Sequence, residues 1–176
     1  MKKLRLLLFS DCTKSCPGCC NKDWDLDSLP VCKSYEGFNE IILTGGEPTM
    51  NISLVKETIA DIRKQNPRAK IFMYTANVSV YDIYELFILL DGITVTLHDK
   101  SDIDPFISFV NNISKSPYKE LKKSLRLNIF QGIDLFESLD SGENFDLKRW
   151  EIKDNIKWIK HCPLPKDEVF MRLEIK

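Results

Sequence analysis

Three cysteines near the N-terminus have the spacing of a metal-cluster loop. Cys12, Cys16 and Cys19 form a C-x₃-C-x₂-C run, and Pro17-Gly18 makes the segment turn-prone. Three thiolates can hold three irons of a [4Fe–4S] cube, and without a fourth cysteine in register one iron stays open to another ligand. The spacing therefore predicts an iron–sulfur site whose open iron takes part in chemistry.

The other three cysteines leave a zinc site as the alternative. Cys20 or Cys32 would then supply the fourth ligand of a closed tetrahedron. Structural zinc usually draws on two separated cysteine or histidine pairs, and the sequence contains no second pair, so the cluster is favoured. We interpret Cys20, Cys32 and Cys162 as small apolar residues, although Cys20 directly follows a predicted ligand and could tune the cluster.

A second motif, Thr44-Gly45-Gly46-Glu47-Pro48, directly follows the second predicted strand. Its glycines let the backbone approach a ligand closely, and Glu47 places a carboxylate at the end of the strand where α/β ligand sites lie. Taken alone, a Gly-Gly turn before proline is common loop chemistry. Whether this turn is structural or functional depends on which residues the neighbouring strands place next to it.

Apolar runs alternate with stretches of helical period, which predicts parallel strands joined by helices and an α/β fold. Six strands are expected, at Leu4–Phe9, Glu40–Leu43, Lys70–Tyr74, Ile93–Leu97, Ser124–Ile129 and Val169–Ile175. Helices are expected from Ile52 to Asn66, over Val80–Leu90, from Asp104-Pro105 onward and, from a weaker pattern, over Leu147–Lys160. Gln131–Phe145 lacks periodicity and predicts a long surface loop or a partly ordered insertion.

Polar residues alternate with apolar ones in the later strands and should share one face of the sheet. In a curved parallel sheet these rows would line a concave lumen suited to a ligand. The residues are Thr94, Thr96, His98, Arg126, Asn128, Arg172 and Glu174.

Bulk properties predict one globular domain over 1–176 in a reducing, cytoplasmic setting. Opposite charges nearly balance, with 25 basic and 26 acidic side chains, so no general attraction to nucleic acid or an anionic membrane is expected.

The start of the chain resembles a leader peptide, but Arg5 interrupts its apolar run, and a first strand is the better interpretation. Four of the six cysteines fall within Cys12–Cys20, which favours metal binding over disulfides.

Together, the cysteine loop and the GGEP turn resemble the hallmarks of the radical S-adenosylmethionine (SAM) superfamily, in which similar motifs follow the first two strands of a partial (β/α)₆ barrel. The resemblance implies an oxidoreductase- or lyase-type enzyme that binds a [4Fe–4S] cluster and SAM. SAM would chelate the open iron, with Gly45, Gly46 and Glu47 at its amino end. Reductive cleavage would then give a 5′-deoxyadenosyl radical that abstracts hydrogen from a substrate.

Further SAM contacts follow from position in this family: Thr44 and Pro48 of the turn, Thr75 and Asn77 after the third strand, and Thr96 and His98 after the fourth. The alternative for His98 is a structural, hydrogen-bonded histidine. Arg126 and Arg172 would bind a carboxylate of SAM or substrate, or else pair with an internal acid such as Glu174. Gly18 departs from the family, where an aromatic residue often lies against adenine, and the replacement candidates are Phe9, Tyr74 and Phe130.

The segment Cys16–Trp24 is similar to the cluster loop of anaerobic ribonucleotide reductase activases, which favours a glycyl-radical protein as partner and an electron donor such as flavodoxin or ferredoxin. The polar rows favour instead a small polar or anionic metabolite, as in deazapurine-forming relatives. Peptide modification is a third variant, for which too few cysteines remain to hold an auxiliary cluster. The alternative outside enzymes is an iron–sulfur or zinc module without catalysis.

Overall fold

The computed structural model describes residues 2–135 and 146–174. Within them lie seven strands, β1 Lys3–Leu7, β2 Glu40–Thr44, β3 Lys70–Thr75, β4 Gly92–Leu97, β5 Ser124–Phe130, β6 Trp150–Ile156 and β7 Glu168–Arg172. The α-helices are α1 Ile52–Gln65, α2 Ile83–Leu89 and α3 Ile103–Lys115. No helix in these described ranges is long and apolar enough to cross a membrane.

The seven strands form one parallel, curved and unclosed sheet in the order β6-β5-β4-β3-β2-β1-β7. Helices α1, α2 and α3 connect β2 to β3, β3 to β4 and β4 to β5. This arrangement confirms the predicted α/β class with a partial (β/α)₆-type sheet. Parallel strands end at the same edge, so the loops after β1 to β5 meet there.

One face of the sheet carries the main core. Alternate residues of each central strand are buried against the helices, because side chains on a strand point to opposite faces in turn. The apolar stripe of α1 consists of Val55, Ile59 and Ile62, as its helical spacing predicts. The strand residues of this core include Leu4, Leu6, Ile41, Leu43, Ile71, Met73, Ile93, Val95, Leu125 and Leu127.

The predicted polar rows lie on the other face. Thr94 pairs in register with Arg126 and Thr96 with Asn128, so these residues are neighbours on adjacent strands. Arg172 pairs with Leu7 at the far side of the sheet. There, Leu7 packs with Leu29 and Phe170, and partly buried Trp24 covers them, so part of this face is apolar.

The predicted helix over Leu147–Lys160 is wrong, because this segment contains β6. Ile152 and Ile156 are four residues apart, which fits a period of two as well as a helical one, and β5 offers an unpaired edge that hydrogen bonds to a strand. Trp150 packs edge-on against Phe106 of α3 at 5.1 Å between ring centroids. A register shift beside Asn155, whose φ is +54°, adds one residue to β6 and marks a β-bulge.

The other differences concern boundaries. Helix α2 begins at Ile83 rather than Val80, and α3 begins at Ile103, one residue before the predicted Asp104-Pro105 start. Strand β7 ends at Arg172, and Ile175 of the predicted strand lies outside the described residues. Of the predicted 131–145 loop, Ile133 and Leu135 are buried, while 136–145 lie outside the described residues.

Candidate cofactor site

A cavity of about 650 Å³ opens at the carboxyl ends of the strands. Its volume suits a nucleoside-sized ligand. All three predicted cluster ligands, Cys12, Cys16 and Cys19, line it. The predicted cofactor-binding residues that also line it are Thr44, Gly45, Gly46, Glu47, Thr75, Thr96 and His98.

The three predicted cluster ligands are free thiols on the loop after β1. The Lys14 amide donates to Sγ of Cys12 at 3.4 Å, a backbone contact suited to a thiolate. Burial raises the pKa of the Cys16 thiol, and the neighbouring Cys19 and Cys12 raise it further. The three sulfurs therefore share one local environment.

This donor set fits an iron–sulfur cube better than a single ion. In the described residues, no three His, Cys, Asp or Glu side chains converge on a point where one metal ion could be held. A cube binds each thiolate at a different iron, so its ligands need only surround a common space. Cys12, Cys16 and Cys19 all line the same cavity, as ligands of such a cube would.

The GGEP turn holds the start of the cysteine loop. The amides of Gly46 and Glu47 donate to the carbonyls of Phe9 and Asp11, both at 2.8 Å. A Cβ atom at position 46 would lie 1.7 Å from the Asp11 carbonyl oxygen, so only glycine fits. The two sequence motifs therefore form one structural unit.

Asn21 adds a side-chain link to this unit. Its Nδ2 donates to the Gly45 carbonyl at 2.6 Å, from a short 3₁₀ turn at Cys20–Asp23 directly after the last cluster cysteine. The cysteine loop is thus attached to the GGEP turn both before and after its three sulfurs.

Glu47 is buried, and both its carboxylate oxygens accept hydrogen bonds. Oε1 accepts from the amide and hydroxyl of Thr49 and from the hydroxyl of Thr75 at 2.6 Å. Oε2 accepts from the amide of Ala76 at 2.8 Å. Although Glu47 lines the cavity, its carboxylate joins the end of β3 to the turn after β2.

Lys14 connects the cysteine loop to the turn between β4 and α3. Its ammonium pairs with Asp99 at 3.3 Å and with Asp102. Burial lowers the pKa of Lys14, but the hydrogen bonds and charges of the two aspartates outweigh it, so the net shift is upward. Buried Asp102 also accepts from the amide of His98 at 2.8 Å, which couples this pair to the end of β4.

Three rings from different elements form an aromatic wall of the cavity: His98, Phe130 and Trp158. Phe130 and Trp158 stack with centroids 3.9 Å apart and planes inclined by 25°, and His98 lies 5.3 Å from Trp158. Phe130 was among the sequence candidates, whereas Trp158 was missed because it falls in the segment interpreted as a helix. The one signal that could have indicated it is Gly18, against which Trp158 packs.

His98 is a neutral member of this wall. Burial lowers the pKa of its imidazole, and nearby Lys14 lowers it further. Its buried Nδ1 has no hydrogen-bond partner among the described residues. A buried imidazole nitrogen beside a cavity can hydrogen-bond to a ligand.

Cys20 and Cys162 form a disulfide, which corrects their interpretation as unpaired apolar residues. Their Cα atoms are 5.3 Å apart across 142 positions of sequence, and both residues line the cavity. The bond attaches the segment after β6 to the cysteine loop. Cys32 is a buried free thiol that donates to the Ser34 carbonyl at 3.4 Å.

Other residues predicted for the site lie outside the cavity lining. Arg126 pairs with Glu151 at 3.2 Å, and Arg172 donates to the Leu29 carbonyl at 3.2 Å. Asn77 accepts from Ser79 through its side chain, and its backbone contacts Thr75. Pro48 is buried at the start of the short turn after Glu47. Of the ring candidates, Tyr74 lines the cavity and Phe9 does not.

Comparison with known proteins supports an iron–sulfur domain of the radical SAM-like type. The family model described as a 4Fe-4S single cluster domain, grouped with radical SAM-associated families, matches residues 29–99. The matched part runs from the loop before β2, through the GGEP turn, to the end of β4, and begins after the three cysteines predicted to hold the cluster. No curated protein matched the chain.

Proposed function

We propose that this protein is a radical SAM enzyme that holds a [4Fe–4S] cluster on Cys12, Cys16 and Cys19. The observation that carries the proposal is that three free thiols, the GGEP turn and the aromatic wall meet at one cavity. When bound, the cluster and SAM supply an electron and a sulfonium whose reductive cleavage yields a 5′-deoxyadenosyl radical for hydrogen abstraction. An electron donor such as flavodoxin or ferredoxin would serve as reductant.

The chain's own residues position these groups. Hydrogen bonds from Gly46 and Glu47 fix the backbone that leads into the cysteine loop, and Lys14 fixes the loop from the opposite side. The polar groups of the GGEP turn are largely engaged within the chain, so its main contribution is to hold the loop in place. Such preorganisation matters because electron donor and acceptor must be in line.

The alternative of a zinc module without catalysis finds no cysteine available as a fourth ligand in the described part of the chain. Cys20 is paired with Cys162, and Cys32 is buried with its thiol bonded to the Ser34 carbonyl. A closed structural zinc site needs four donors at about 2.0–2.3 Å from one ion. The enzyme proposal, in contrast, uses three thiols and leaves one iron open.

For the hydrogen donor, we favour a glycine of a partner protein, as in activases of glycyl-radical enzymes. The link from Asn21 to Gly45 gives a structural role to a residue on which that resemblance depends. Ile159 lines the cavity and is 54% exposed, so an apolar side chain lies at the mouth where a partner segment would enter. A small anionic metabolite is the second candidate, but Arg126 and Arg172 lie outside the cavity lining.

The decisive experiment is anaerobic reconstitution with iron and sulfide, reduction with dithionite, addition of SAM, and chromatographic assay of 5′-deoxyadenosine. We expect product from the native chain and from Cys32→Ala, a matched cysteine control outside the cavity. The triple alanine variant of Cys12, Cys16 and Cys19 should give none. A fully loaded native cluster that yields no product, with or without a glycyl-radical protein added, would contradict the proposal.

A second assay separates the substrate classes. The reduced enzyme and SAM are incubated with an anaerobic ribonucleotide reductase, and electron paramagnetic resonance is recorded. A glycyl radical signal supports the activase proposal. Production of 5′-deoxyadenosine without that signal, and its stimulation by a small metabolite fraction, would favour the second candidate.

A further inference from the structure

Trp158 occupies the space into which a side chain at position 18 would project. A Cβ atom built on Gly18 would lie 2.8 Å from Cε3 of Trp158 and 3.3 Å from its Cβ. Contacts under 3.0 Å require the neighbour to shift, so Gly18 and Trp158 are matched in size. Position 18 of the cysteine loop therefore carries no aromatic side chain. The segment after β6 supplies the ring at that place instead.

This ring is held from several sides. Trp158 stacks on Phe130 at the end of β5 and lies against His98 at the end of β4. Before it, the carbonyl of Ile156 accepts from the Gln131 amide at 2.8 Å. After it, the amide of Cys162 donates to Asp23 at 2.7 Å, and Cys162 is bonded to Cys20. The wall is thus fixed relative to the cluster cysteines.

We propose that the aromatic wall binds the purine ring of the adenosyl ligand, with Trp158 as the stacking residue that replaces a side chain at position 18. The inference rests on the proposed function and adds to it the residue that recognises the base. Stacking on an aromatic ring suits any flat heterocycle. The unpartnered Nδ1 of His98 adds one polar group that can hydrogen-bond to a ring nitrogen.

The test measures binding to the cluster-loaded, unreduced protein, so that no cleavage occurs. The probes are 5′-deoxyadenosine, SAM and methionine, measured by isothermal titration calorimetry. Trp158→Leu keeps an apolar side chain against Phe130 and removes the stacking surface. It should weaken binding of 5′-deoxyadenosine and SAM by about tenfold or more while methionine binding is unchanged.

Matched controls distinguish stacking from a change of fold. Trp24 packs against Phe170 outside the cavity lining, so Trp24→Leu should keep native affinity for both adenosyl probes. Trp158→Phe keeps a ring and should lose less than Trp158→Leu. Cluster absorbance and far-ultraviolet circular dichroism of each variant should equal those of the native protein.

The match in size between Gly18 and Trp158 can be tested independently by combining substitutions at the two positions. Gly18→Ala in the native background should weaken 5′-deoxyadenosine binding, because its methyl group displaces Trp158. The same change in Trp158→Leu should cause little further loss, and Gly18→Tyr with Trp158→Leu should regain affinity by placing a ring in the vacated space. This non-additivity is expected only if the two positions share one volume.

The possible failures are distinguishable. If Trp158→Leu binds 5′-deoxyadenosine as tightly as the native protein and still cleaves SAM, the inference is overturned and the proposed function stands. If the native loaded protein binds neither adenosyl probe and makes no 5′-deoxyadenosine, the proposed function itself fails. Equal weakening of methionine and 5′-deoxyadenosine in Trp158→Leu would also overturn the stacking role.

Discussion

Single residues in this site are constrained mainly by backbone contacts. Gly46 lies where the chain entering the cysteine loop crosses the GGEP turn, and any side chain there would overlap the Asp11 carbonyl. Gly18 is constrained by the Trp158 side chain instead. The first glycine therefore preserves the position of the cysteine loop, whereas the second preserves the shape of the cavity.

Glu47→Ala should destabilise the fold, because the carboxylate satisfies buried donors of Thr49, Thr75 and Ala76. Unsatisfied buried donors cost about 1–3 kcal/mol each, so we expect the free energy of unfolding to fall by roughly 2–5 kcal/mol. Urea unfolding followed by circular dichroism measures it. Glu57→Ala, at an exposed position of α1, is the control and should change stability by less than about 0.5 kcal/mol. Equal stability of the two variants would contradict the role assigned to Glu47.

His98 should make the fold weaker at mildly acidic pH. Its pKa is lowered from 6.5 by burial, so below that pH the unfolded chain binds a proton that the folded chain does not. The contribution of His98 to the free energy of unfolding is therefore fully present above pH 6.5. It falls as the pH drops toward the pKa that His98 has in the folded state. Urea titrations of the metal-free protein between about pH 7.5 and pH 5.5 should give a smaller decrease for His98→Gln than for the native chain.

His161 is the matched control, since the sequence contains two histidines and this side chain is 78% exposed. His161→Gln should keep the native pH dependence. If His98→Gln and the native protein showed the same slope, the buried imidazole would not be the group responsible.

At the scale of elements, the segment after β6 matters as much as the cysteine loop. It supplies Trp158 to the cavity and Cys162 to the disulfide, and its preceding strand covers the edge of β5. Strands β2 to β5 are joined in turn by α-helices, but β6 and β7 are joined by a stretch without an α-helix. That irregular stretch is free to pass over the carboxyl edge of the sheet.

The disulfide between Cys20 and Cys162 predicts a thiol count and a stability difference. In metal-free protein unfolded without reductant, alkylation should label four of the six cysteines, and after reduction all six. Closing a loop of this length stabilises a fold by roughly 4–5 kcal/mol in the chain-entropy model. Unfolding of the oxidised chain should therefore need more urea than unfolding of Cys162→Ser. Six labelled cysteines without reductant would exclude the bond.

For the whole molecule, the sheet order predicts where the fold opens first. β3 and β4 lie in the middle of the sheet and carry fully buried residues such as Ile71 and Val95, whereas β6 is an edge strand with mostly exposed side chains. Amide hydrogen exchange read by mass spectrometry should show slow exchange of β3 and β4, at the rate of global unfolding, and faster exchange of β6. Slower exchange in β6 than in β4 would contradict the assignment of β6 to the edge.

The sequence by itself determined the features that depend on neighbouring residues. The spacing of Cys12, Cys16 and Cys19, the GGEP turn after β2 and the apolar period of α1 are local patterns, and they predicted the α/β class and the carboxyl-edge location of the turn. The six predicted strands were found within a few residues of their expected bounds. The local sequence was sufficient to predict these elements because the hydrophobic periods of strands and helices repeat within short stretches of sequence.

Only the tertiary structure decided which distant residues complete the site. Trp158 meets Gly18 and Cys162 meets Cys20 across more than a hundred positions, and nothing in the local sequence around 158–162 indicates either contact. The predicted helix over Leu147–Lys160 is wrong because the spacing of Ile152 and Ile156 fits both periods, and pairing with the open edge of β5 selects the strand. Such choices depend on contacts formed when the chain folds, so they are absent from local periodicity.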